Sequence, residues 1–135
     1  MDAFLALLPE YSGLDPASIA FVLDGPRRQL YGLASLEDVP DSYAQRMRAY
    51  LTQEATARGY QVLDLAPHFL SAHQQTGVEF EWPTDGHWNA QGHEVAFKAV
   101  RDGATFRRFL KAGRGAETPL SSLRAPVTSP AAAAR

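Results

Sequence analysis

The sequence contains no cysteine, which removes a disulfide scaffold, a thiolate zinc site and a cysteine nucleophile together. No apolar run approaches the length of a membrane span, so no spanning helix is expected. Concentrated positive charge is missing as well. The densest spots are the pairs Arg27-Arg28 and Arg107-Arg108, and both read as solvated surface. With a formal net charge of -2 and a pI near 6.0, neither nucleic acid nor an anionic membrane is an expected partner. The amino end, Met1 to Pro9, is apolar but short, and Asp2 stands where a signal peptide carries positive charge. As written, the chain reads as soluble and unexported. What is present suits one folded domain: 135 residues, 45% hydrophobic and 21% charged.

Periodicity gives the organisation. Residues 2–8 read as a short helix, with Pro9 and Gly13 punctuating a loop after it. The run Ser18-Ile19-Ala20-Phe21-Val22-Leu23 is continuous, apolar and closed by Asp24-Gly25-Pro26, which favours a buried strand. Past Pro40, Asp41 or Ser42 can cap a helix whose apolar positions Tyr43, Met47, Tyr50, Leu51 and Ala55 run until Gly59. Tyr60 to Leu65 is a second strand candidate. Strand, helix and strand in that order argue for a parallel βαβ unit. A short helix is expected over 67–74, a loop over 77–89, and a single helix from Gly92 to about Leu110 with Asn89 as its cap. Residues 111–135 contain no aromatic and few aliphatics, and they read as a disordered tail.

The chemistry concentrates in Thr84-Asp85-Gly86-His87-Trp88-Asn89. An acid two residues before a histidine can hold the imidazole in one tautomer and stabilise its protonated form. The other ring nitrogen is then free to act as a base toward a hydroxyl. The loop lies between a strand-rich stretch and a helix, where sites form at the carboxyl edge of open α/β sheets. On chemistry alone, an Asp-Gly turn carrying an incidental exposed histidine explains the pair equally well.

The longer segment Thr84-Asp85-Gly86-His87-Trp88-Asn89-Ala90-Gln91-Gly92-His93, running into a helix, resembles the last block of the SGNH (GDSL-type) hydrolase superfamily. Its nearest likeness is the SGNH hydrolase-like and O-acetyltransferase-like branch. Gly59 to Pro67 resembles the strand and turn before that block, and Phe21 to Gly25 with Arg27 and Tyr31 resembles an earlier core strand and its loop. The resemblance covers about residues 1–110 and implies a three-layer α/β/α arrangement with a parallel sheet, present as its carboxyl-terminal portion. It implies ester hydrolysis or acyl transfer, on an acetyl ester of a carbohydrate or a small molecule, by Ser-His-Asp chemistry without a cofactor. His87 would be the general base and Asp85 its orienting acid.

Two features depart from that pattern. Simple GDSL esterases space the acid three residues before the histidine, whereas here the spacing is two, as in the acetyltransferase-like branch. Nothing matches the Gly-Asp-Ser nucleophile block: Ser12, Ser18, Ser35, Ser42 and Ser71 lack that context, and Asn89 is the only asparagine available for an oxyanion hole. The 135-residue chain by itself is therefore expected to show no serine-esterase activity. A fold-retaining fragment or binding module without catalysis is the alternative, and a metal-binding module the third. The last would need Asp85, His87 and His93 to converge, a donor set with little support in the pattern. Trp88 reads mainly as packing the loop onto the sheet, Trp82 as a candidate for lining an acyl or sugar pocket. Asp24 reads as a turn residue that can face a site, His93 as structural or surface, and His68 and His73 as ordinary residues of a short helix.

Overall fold

A computed structural model of the chain describes residues 1–115, and side chains of the last helix only as far as Lys111. The chain is mixed α/β. Helices α1 (Asp2–Ser12), α2 (Arg27–Leu30), α3 (Tyr43–Ala57), α4 (Ala66–Thr76), α5 (Ala90–Arg101) and α6 (Ala104–Gly115) accompany two small sheets. Strands β1 (Ala20–Leu23) and β2 (Gln61–Asp64) form the first, and β3 (Glu81–Trp82) and β4 (Asp85–Trp88) the second.

The expected parallel pair is present. β1 and β2 align Phe21 with Val62 and Leu23 with Asp64, and Gln61 and Leu65 donate backbone N–H groups to the carbonyls of Ile19 and Leu23. Side chains alternate across the sheet. On one face Phe21 and Val62 pack with Leu5, Ala55 and Tyr60. On the other, Leu63 joins a second cluster built from Leu30, Leu65, Ala66, Phe69, Leu70, Phe80, Ala96 and Ala99. Among the described residues the parallel sheet has these two strands. Val22 therefore remains 44% exposed, so β1 is covered on one face rather than both.

Several boundaries differ from the sequence reading, each for a local reason. α1 runs through Pro9 to Ser12. Proline has no N–H to give the carbonyl four residues back, and that carbonyl, on Leu5, instead accepts from the buried Tyr60 hydroxyl at 2.5 Å. A tertiary hydrogen bond thus replaces the missing helical one. Gly13 then ends α1 at φ 67°, with its N–H on the Pro9 carbonyl. Ser42 caps α3 as expected, accepting from the Gln45 N–H. The helix anticipated over 92–110 is two helices, broken at Asp102-Gly103 after α5 ends. α6 continues to Gly115, so the described part of the anticipated tail, residues 111–115, is helical. The rest of that tail lies outside the described residues. Among the described residues, no helix is long and apolar enough to cross a membrane.

Candidate active site

The segment expected to be a loop is a tight hairpin. Glu81 pairs with Trp88 and Trp82 with Asp85, around a turn at Pro83-Thr84. Asn89 joins this hairpin to α5 through both ends of its amide. Its Oδ1 accepts from the Gly92 N–H at 2.9 Å as the helix cap, and its Nδ2 donates to the carbonyls of Glu79 at 2.8 Å and Glu81 at 3.2 Å. Gly92 has a steric reason for being glycine: a Cβ there would stand 2.5 Å from the Phe80 carbonyl oxygen and 3.1 Å from the Trp88 Cβ. The helix can approach the hairpin this closely only without a side chain.

Asp85 and His87 come together as the spacing suggested. Asp85 Oδ1 accepts from the His87 backbone N–H at 2.6 Å and lies 2.5 Å from ring Nδ1. An ionised carboxylate only accepts, so the hydrogen in the second contact belongs to Nδ1, and in the neutral form of the ring Nε2 keeps its lone pair. The backbone N–H of His87 and then its ring hold the Asp85 carboxyl below the usual aspartate range. The His87 side chain is 88% exposed, open to any group that approaches it.

Behind the pair lies a buried network that the sequence reading missed. Arg27, taken for solvated surface, is only 8% exposed. Its Nη1 donates to Asp24 Oδ1 and its Nη2 to the Gly86 carbonyl, inside the Asp85–His87 turn. Its guanidinium carbon stands 5.5 Å from the centre of the Phe69 ring and 5.8 Å from that of Trp88. Asp24, just past the carboxyl end of β1, also accepts from the Trp88 indole N–H at 2.8 Å. Glu81 is buried as well. It is held by Arg28 at 3.3 Å, by the Tyr31 hydroxyl, and by Arg27 Nε at 3.6 Å. Burial, reinforced by the Glu81 hydrogen bond, pushes the Tyr31 phenol above its ordinary range. The only hint of this network in the sequence was a resemblance placing Arg27 and Tyr31 in a loop after β1; nothing in the charge pattern distinguished Arg27 from Arg28.

Asp24, Arg27, Gly86, His87, Trp88 and His93 line a cavity of about 210 Å³. None of them is Ser, Thr or Cys, so no hydroxyl or thiol nucleophile of the described chain faces His87 there. Trp88 packs 6.0 Å from Phe69 and meets His93 edge-on at 5.3 Å, which gives it both a packing role and a place in the cavity wall. Trp82 is 53% exposed and does not line this cavity. Asp24 does face the site, while His73 lies against Tyr31 with ring centres 4.4 Å apart. Among the described residues, no three His, Asp or Glu side chains converge as a metal site would require.

Compared with protein-family models, with curated proteins and with solved structures, the chain matches none.

Proposed function

We propose that this chain supplies the base and orienting acid of an SGNH-type ester hydrolase or O-acyltransferase, within a three-layer α/β/α domain of which it is the carboxyl-terminal portion. The observation that carries the reading is the 2.5 Å contact between His87 Nδ1 and Asp85 beside an open Nε2. In such chemistry Nε2 takes the proton of an attacking hydroxyl and later returns it to the leaving alcohol. Asp85 meanwhile stabilises the imidazolium formed between the two steps. The hydroxyl comes from a serine outside the described residues, and the substrate class is an acetyl ester of a carbohydrate or small molecule. The site's place beyond the carboxyl end of β1 supports this assignment.

The test is turnover of a chromogenic acetate ester by the chain joined in frame to whatever coding sequence lies directly upstream. His87→Ala should lower turnover by roughly 10²–10⁴-fold, the usual contribution of a general base. Unchanged turnover removes His87 from the reaction. For the 135-residue chain alone no serine-esterase turnover is expected, and turnover abolished by a serine-directed phosphonate contradicts that expectation.

The second reading, a binding module that keeps the fold without the reaction, is favoured by the cavity lining, which offers His87 no nucleophile. It predicts no turnover in the longer form either.

A further inference from the structure

We propose that Arg27 is a positioning residue for His87: its guanidinium bridges Asp24, beyond β1, to the Gly86 carbonyl of β4 and so fixes the turn on which the imidazole stands. This rests on the Asp85–His87 reading above. The imidazole is 88% exposed, so packing does not locate it. Gly86 has no side chain, and a Cβ built there would meet nothing within 4 Å. The peptide between acid and base is therefore anchored through its carbonyl, and the donor to that carbonyl is Arg27 Nη2.

Arg27 suits the task because it is itself held. Its side chain is 8% exposed and lies against Phe69 and Trp88. Asp24 Oδ1 accepts both from it and from the Trp88 indole, tying the guanidinium to one end of the parallel sheet. A planar guanidinium can donate in two fixed directions at once, which an ammonium on a flexible stem cannot do. The groups around His87 are Asp85 from β4, Asp24 from the end of β1, Arg27 from α2 and His93 from α5.

The experiment reads the tautomer of neutral His87 in the ¹⁵N-labelled full chain, from ring nitrogen correlations recorded above the histidine titration. The native chain should hold His87 mainly as Nδ1–H. Arg27→Met keeps an apolar stem against the two rings and removes both donors. Asp24 is left half exposed, and Glu81 is still held by Arg28 and Tyr31. In this variant the Nδ1–H form should lose its majority to the Nε2–H form that free imidazole prefers, while His68 on α4 is unaffected. Arg27→Lys should restore part of the native population, since one ammonium reaches one acceptor well.

A folded Arg27→Met chain with an unchanged His87 tautomer overturns the proposal and leaves the Asp85–His87 pair standing on its own. A native chain without an Nδ1–H majority overturns both. If Arg27→Met does not fold, Arg27→Lys decides: partial loss supports the bridge, and no change refutes it.

Discussion

At the scale of single residues, the contacts of Asp85 give the site a defined pH response. The backbone N–H and ring of His87 both favour its ionised form, so its folded carboxyl titrates below the unfolded one. Whatever Asp85 contributes to the turn is fully present above the ordinary aspartate value, about 3.9. It is lost as pH falls through the lower, folded value. The Asp85 carboxyl carbon reports this directly. Its ¹³C shift in an acid titration should make its main change with a midpoint below the usual aspartate range; a midpoint at or above that range would mean the turn is not held this way. Arg27 shows how far sequence reaches at this scale. Two adjacent arginines look alike in a string, yet 8% of the Arg27 side chain is exposed against 65% for Arg28. What separates them is which one meets Asp24 and Gly86, and Gly86 is 59 residues away.

Among the elements, the junction between the hairpin and α5 carries the site. Two local features of it were legible in the sequence: Asn89 as a cap, and the two-residue spacing that brings Asp85 and His87 together. It did not reveal β3 and β4, because strands of two and four residues bearing Glu-Trp and Asp-Gly-His-Trp carry no alternation to read. The break between α5 and α6 was equally hidden, since one glycine in a helical pattern is ordinarily tolerated. Gly92 tests the junction. Alanine is normally worth about 1 kcal/mol over glycine inside a helix, but here its methyl would press on the Phe80 carbonyl at 2.5 Å. Gly92→Ala should therefore destabilise the chain by about 1–3 kcal/mol, the usual cost of overpacking. Chemical denaturation measures it, and a gain in stability would show that α5 does not press on the hairpin as described.

For the whole molecule, the parallel pairing of β1 and β2 and the helix between them were legible because apolar runs and caps are local signals. The network of Arg27, Glu81 and Tyr31 was not, because it depends on elements about fifty residues apart. Phe69 links this network to the core: it is fully buried, 5.3 Å from Phe80, 6.0 Å from Trp88 and beneath the Arg27 guanidinium. Phe69→Ala should cost about 3–5 kcal/mol of stability. It should also perturb the Trp88 indole N–H resonance, since ring and network share a wall. A loss confined to stability, with the Trp88 signal unmoved, would separate the core from the site.

Whether Asp85 and His87 act as one base, as proposed above, is decided by a double-mutant cycle on acetate-ester turnover by the chain joined in frame to any coding sequence directly upstream. Residues that work as a unit are strongly non-additive. His87→Ala and the Asp85→Asn/His87→Ala double variant should therefore be equally impaired, with Asp85→Asn alone retaining more activity than either. If the two single losses instead multiply in the double variant, Asp85 and His87 act independently, and the proposed pairing as one catalytic unit is wrong.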